Sequence, residues 1–170
     1  MGADVETETI RIEGSLLADL YARHADEALR LSYLLTGDGA LAEDLVQEAF
    51  VRLAGRLLHL RDPGGFHAYL RKTIVNLARS HYRRRAVERR YLERQTEAPA
   101  IDPDDLSDRE RLRRALMALP IGQRTAIVLR YFEDLSEAQT ADLMGRHPGA
   151  VKSLVSRGMG TLRTTIGADV

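Results

Sequence analysis

The last quarter of the chain, Ser136 to Arg163, constrains the fold most, because it predicts two short helices around a tight turn with basic residues on the second. Ser136 can cap the first helix, and Gln139, three residues on, can return the bond in a capping box. Gly145 stands where a left-handed residue ends a helix. His147-Pro148 opens the second helix, since proline at the first helical position loses no donor the helix needs. Val151, Val155, Leu162 and Ile166 recur on one face of it. The other face carries Gly149, Lys152, Ser153, Ser156, Arg157, Gly160 and Arg163. Small residues let a backbone approach a groove, and cations match phosphates, which is how a helix-turn-helix reads DNA. Taken alone, the pattern also fits a solvated helical hairpin.

A chain of 170 residues holds one ordinary domain or two small ones. The formal net charge of zero hides a segregation of charge. From Arg71 to Arg94 the chain carries Arg71, Lys72, Arg79, Arg83, Arg84, Arg85, Arg89, Arg90 and Arg94 against Glu88 and Glu93. From Glu97 to Glu110 it carries Glu97, Asp102, Asp104, Asp105, Asp108 and Glu110 against one arginine. Such segregation says more about partners than the total does. With no cysteine, disulfides, thiolate catalysis and cysteine zinc sites are excluded. No apolar run has the length of a membrane span, and the acidic start, Asp4 to Glu8, lacks the basic and apolar regions of a signal peptide. The expectation is a cytoplasmic protein with no membrane partner.

Residues 1–14 have no clear period and read as a loose acidic arm. From Ser15 to Leu35, Leu17, Leu20, Tyr21, Ala28, Leu31 and Leu35 keep helical spacing. Thr36-Gly37-Asp38-Gly39 breaks that helix. A second, from about Ala40 to Leu60, buries Leu41, Leu45, Val46, Ala49, Leu53 and Leu57, and Asp62-Pro63-Gly64-Gly65 ends it. A third begins near Phe66 and turns Tyr69, Leu70, Ile74, Leu77 and Ala78 inward. Residues 95–106, with two prolines, clustered acids and no periodic apolar positions, read as a linker. Beyond it Leu112, Ala115, Leu116 and Leu119 make a helix that stops at Pro120, and Ala126, Ile127, Val128, Tyr131 and Phe132 make another. No period-two pattern competes. The expected fold is all-α: a first domain over 15–94, an acidic, proline-containing linker over 95–106, and a second domain over 107–170 built on a helix-turn-helix (winged-helix-like).

Three surfaces could carry chemistry. The outward face of the third helix offers Lys72, Asn76, Arg79, Ser80 and Arg83, with Tyr82 and Arg84 beside them. Rings and guanidinium planes stack on unpaired bases, and an amide pairs with a base edge. The bland alternative is a solvated helix end. The second helix presents Glu43, Asp44, Gln47, Glu48 and Arg52 away from its core. Carboxylates at that spacing occur in helical metal-dependent nucleotide hydrolases, but no second acidic helix converges with them. A solvated face or a docking surface for a basic partner fits better. His24, His59, His67, His81 and His147 are scattered without a metal or catalytic motif, and the phosphate-cradling glycine loops are absent. No catalytic residue, cofactor or metal is expected.

Three blocks resemble the extracytoplasmic-function group of the sigma-70 family of bacterial transcription initiation factors. Gly37-Asp38 with Ala42-Glu43-Asp44-Leu45-Val46-Gln47-Glu48-Ala49-Phe50 is similar to the family helix that docks on the β′ clamp helices of RNA polymerase. Phe66 through Tyr69-Leu70 to Asn76-Leu77-Ala78 and Arg83-Arg84 resembles the helix that opens the minus-10 element and captures its non-template strand. Leu119-Pro120 with Arg124, then Leu135-Ser136 and Gly149-Ala150-Val151-Lys152-Ser153, resembles the domain that reads the minus-35 element. The resemblance covers roughly Leu16 to Ile166. It implies core polymerase (β′ and β subunits), promoter DNA and an anti-sigma factor as partners. It also implies a polymerase-binding set of Glu43, Asp44, Gln47, Glu48, Val51 and Arg52. The minus-10 set is Lys72, Asn76, Arg79, Ser80, Tyr82, Arg83 and Arg84. The minus-35 set is Arg124, Gly149, Ala150, Lys152, Ser153, Ser156 and Arg157. Many relatives carry aspartate at Ser80, tryptophan at Tyr69 and arginine at Leu154, so a phosphate contact is expected to be missing at Leu154. The competing reading of the same residues is a stand-alone helix-turn-helix regulator.

Overall fold

Local signals in the sequence set where most helices begin and end. The computed structural model of the chain describes residues 2–55, 65–92 and 107–167. Among them, α1 (Gly2–Thr36), α2 (Gly39–Ala54), α3 (Phe66–Leu92), α4 (Asp108–Ala118), α5 (Ile121–Ile127), a π turn (Val128–Phe132), α6 (Glu137–Met144) and α7 (Pro148–Gly167) run in that order. Asp38 caps α2, its side chain accepting from Leu41 N at 3.1 Å, and Ser107 caps α4 by accepting from Glu110 N at 3.3 Å. The capping box on α6 is complete: Ser136 Oγ accepts from Gln139 N at 3.1 Å and Gln139 Oε1 accepts from Ser136 N at 2.8 Å. Gly145 ends α6 in the left-handed conformation, at φ 59°. The motif is a plain helix-turn-helix: the described residues contain no strand and so no wing.

Helix α1 differs from the sequence expectation, since it starts at Gly2 and the stretch expected to be a loose arm is helical. It contains no proline, and an interrupted apolar period does not stop a helix whose later turns are anchored by packing. Helix α2 stops at Ala54, so the last turn expected for it, with Leu57, lies outside the described residues, as does the linker 95–106.

Helices α1, α2 and α3 bury Leu31, Leu35, Val46, Ala49, Phe50, Phe66, Leu70, Ile74 and Ala78 against one another. Helices α4, α5 and α7 close a smaller core around Ala115, Leu116, Leu119, Ile127 and Leu162. The larger cluster does not end at α3: Ala126, Val128, Leu129, Leu135, Ala141, Met144 and Val151 belong to it, so the two halves share apolar interior.

The last carbonyls of α1 have no partner within the helix, and side chains from elsewhere satisfy them and the carbonyl of Gly37 just past its end. Arg124 Nη1 donates to Leu35 O at 2.6 Å, Tyr82 Oη to Thr36 O at 2.9 Å, and Arg113 Nη1 to Gly37 O at 3.1 Å. Two of these donors belong to the second half of the chain. Gly37 has φ +67°, which glycine adopts without strain, and an added Cβ would fall 2.6 Å from Met117 Sδ and displace that side chain.

Several residues assigned inward lie outside. Tyr69 is 53 % and Tyr131 60 % exposed, and Tyr21, Phe132 and Ile166 are also exposed. For Tyr131 and Phe132 the cause is the π turn, whose extra residue swings these side chains off the face a 3.6 period assigns. Leu154 departs in the opposite sense. It packs on the core cluster, and its Cδ2 comes within 3.7 Å of where a Cβ at Gly122 would sit.

Candidate nucleic-acid interface

The turn between α6 and α7 sets α7 on the surface with one face free. Val151, Gly158 and Leu162 are buried and Leu154 and Val155 half-buried. A Cβ at Gly158 would lie 2.6 Å from Ile127 Cδ1, so α7 crosses α5 closely enough that any larger residue would push the Ile127 side chain aside. This packing leaves Gly149, Lys152, Ser153, Ser156, Arg157 and Arg163 exposed on one side, with Ala150 half-buried at its edge. Ser153 Oγ donates to Gly149 O at 3.0 Å and Arg157 Nε to Ser153 O at 3.2 Å, which lays both side chains along the helix. The chemistry is that of a groove-reading helix: small residues near its start, then cations one and two turns on.

Arg124, assigned to the same DNA-facing set, is not on that surface. It is 3 % exposed. Besides Leu35 O, its guanidinium donates to Leu116 O at 3.0 Å, Met117 O at 2.9 Å and Leu119 O at 3.0 Å, and it stacks 4.8 Å above the Tyr82 ring. The ends of α1 and α4 bring several carbonyls together, and a forked donor suits that point better than any other side chain.

The cationic face of α3 is divided. Lys72, Asn76, Arg83 and Arg84 are exposed, whereas Arg79, Ser80 and Tyr82 are half-buried. Arg79 Nη1 donates to Met144 O at 2.7 Å, capping the end of α6, while Tyr82 lies beneath Arg124. Asn76, Arg79, Ser80, Arg83 and Arg84 line a groove of about 580 Å³ whose far wall is Ile121, Gly122 and Arg146. Arg146 was missed by the sequence reading. Its place beside Gly145 at the turn was the available signal.

Helix α2 presents Glu43, Asp44, Gln47, Glu48, Val51 and Arg52 together, all exposed. Val51 is 73 % exposed in the middle of them, an apolar spot ringed by charge, the usual composition of a docking surface. Glu48 pairs with Arg52 along the helix.

A helix-turn-helix with a free cationic face, beside a second basic helix and an exposed acidic face, fits the class of helical DNA-binding proteins. Comparison with known proteins gives the family. Residues 20–88 match the model of Sigma-70 region 2 and residues 109–162 that of Sigma-70, region 4. The RNA polymerase sigma-E factor of Streptomyces coelicolor is 34 % identical over 81 % of this chain and 78 % of its own length. The ECF RNA polymerase sigma factor SigE of Mycolicibacterium smegmatis is 35 % identical over 85 % of this chain and 59 % of its own. Among solved structures, the sigma factor RpoE of Bartonella quintana, in complex with the anti-sigma factor NepR, superposes with a TM-score of 0.65 at 25 % identity, covering 98 % of this chain and 99 % of that one. CnrH in complex with the cytosolic domain of CnrY gives 0.65 at 25 % identity over 91 % and 89 %. The chain belongs to the sigma-70 family, in its extracytoplasmic-function group: it is an RNA polymerase sigma factor, a DNA-binding factor for promoter-specific transcription initiation. Among the described residues no helix is long and apolar enough to cross a membrane.

Proposed function

We propose that this sigma factor uses its three surfaces in a fixed division of labour and has no catalytic step of its own. Glu43, Asp44, Gln47, Glu48, Val51 and Arg52 dock on the β′ clamp helices of core polymerase. Lys72, Asn76, Arg79, Ser80, Tyr82, Arg83 and Arg84 hold the minus-10 strand, and Gly149, Ala150, Lys152, Ser153, Ser156 and Arg157 read the minus-35 element. The first domain then spans 15–94 and the second 107–170, joined by the acidic linker, and the protein works in the cytoplasm, where an anti-sigma factor controls it.

One observation supports this reading above the others: Arg79 and Tyr82 are engaged with the second half of the chain, while the cationic face of α7 is open. Free protein therefore has one reader open and one partly engaged, and promoter affinity depends on polymerase separating the halves and holding them at promoter spacing. A gel shift on promoter DNA tests it. Free protein shifts the fragment weakly and holoenzyme strongly, and Asp44→Arg with Glu48→Arg abolishes the polymerase-dependent shift while leaving helicity unchanged, since exposed charges contribute little to stability but much to a complementary interface. Strong, specific binding without polymerase supports the stand-alone regulator instead.

A further inference from the structure

Histidines that are far apart in sequence meet where α1 crosses α3. His24 and Glu27 lie one turn apart on α1, and His67 is the second residue of α3. One ligand atom from each lies within 4.8 Å of the other two. The His24 and His67 rings stack with centroids 5.3 Å apart, and His67 Nε2 is 2.9 Å from Glu27 Oε1. All three side chains are half-buried, so water and ions reach them.

His67 Nε2 sits between two charged neighbours. This nitrogen faces Glu27 Oε1 at 2.9 Å and Arg71 Nη2 at 3.3 Å. With its hydrogen on Nε2, His67 donates to the Glu27 carboxylate, which also accepts from Arg71 Nη2. A metal ion in place of that hydrogen takes lone pairs from both His67 and Glu27. The Arg71 contact to Glu27 Oε1 is 3.5 Å long; an ion at the site displaces it, and Arg71 keeps its ion pair to Glu133 at 2.9 Å.

We propose that His24, Glu27 and His67 form a binding site for a borderline divalent transition-metal ion of the zinc class, tying α1 to α3. Two imidazoles and one carboxylate select such an ion over magnesium or calcium, which prefer all-oxygen sets. At metal–ligand distances of about 2.0–2.2 Å, the ligand atoms of a tetrahedral site stand about 3.4 Å apart, within side-chain adjustment of the present spacing. Water takes the fourth position. Both helices are anchored by core residues beside the site, Ala28 and Leu31 on α1 and Phe66 and Leu70 on α3, so little ordering is required on binding. The site lies outside the three surfaces of the proposed function.

Metal-stripped protein titrated with Co²⁺ tests the site. We expect one ion per chain, the visible absorption of a tetrahedral nitrogen and oxygen site, displacement by Zn²⁺ and none by Mg²⁺. His24→Ala, His67→Ala and Glu27→Gln each weaken binding roughly tenfold or more. Ring resonances of the unsubstituted protein give a readout that needs no variant: Zn²⁺ shifts those of His24 and His67 and leaves those of His81 and His147 in place. Absence of stoichiometric uptake, affinity unchanged in the His24→Ala/His67→Ala protein, or shifts at the other histidines instead overturns the proposal. The promoter gel shift reads a different property and stands or falls separately.

Discussion

Arg124 shows how far one side chain's role depends on its surroundings. Its position after Leu119-Pro120 matched a DNA-contacting motif, yet the guanidinium spans carbonyls from the ends of two helices and stacks on a ring from a third. Removing it leaves several carbonyls without donors. Arg124→Ala should therefore cost on the order of 3 kcal/mol in denaturant unfolding, and Arg124→Lys should recover little, because an ammonium cannot reproduce the fork. A loss typical of surface positions would place the side chain in solvent. Glu110 makes a pH-dependent contribution at the same junction. The hydrogen bond from Arg113, with help from Arg114, lowers its pKa from 4.5 to about 2, and Arg113 also reaches Gly37 O. A carboxylate held below its unfolded value contributes stability that is complete above the unfolded pKa and lost as pH falls through the folded one. Stability should thus decline between pH 4.5 and about 2, and Glu110→Gln should flatten the curve in that window and nowhere above it. An unchanged curve for the variant shows the pair to be silent.

At the scale of the element, α7 carries the lesson of helix phase. Its packed stripe is Val151, Gly158 and Leu162 with half-buried Leu154 and Val155, whereas Ile166 of the expected stripe is exposed. Leu154 therefore meets the second half's interior at Gly122 rather than a phosphate. Leu154→Arg should destabilise the protein by about 1–3 kcal/mol and add no charge-dependent affinity, since a cation forced toward apolar packing must rotate out or remain unpaired. Arg157→Ala on the exposed side should lower minus-35 affinity, with the log–log salt slope reduced by about one unit if the contact is to phosphate. Salt-dependent binding curves for the two variants separate these outcomes. A steeper slope for Leu154→Arg with stability intact would put position 154 on the DNA-facing side.

For the whole molecule, the deciding feature is that the two halves share part of their apolar interior. Leu129, Met144 and Val151 belong to the same cluster as Leu35, Ile74 and Ala78, and the Arg71–Glu133 pair, with Glu133 Oε2 2.9 Å from the guanidinium, crosses the same boundary. A protease site introduced within 95–106 should yield two fragments that stay together on size exclusion in native buffer and separate only on adding denaturant, because apolar burial and helix-end hydrogen bonds hold them without the covalent link. Separation in native buffer means that the halves are independent. Much of this protein could be read from its residues. The α6 capping box, the left-handed stop at Gly145, the proline start of α7, the acidic face of α2 and the basic run of α3 depend on neighbours within a turn or two, and the helical periods reported most of the core. Tertiary structure alone decided the fate of Arg124, Tyr82 and Arg79, the turn of Leu154 inward and of Tyr131 outward, and the meeting of His24 with His67. Each depends on which helix ends and faces are brought together, and the free energy of such contacts comes from groups tens of residues apart, which local spacing does not encode.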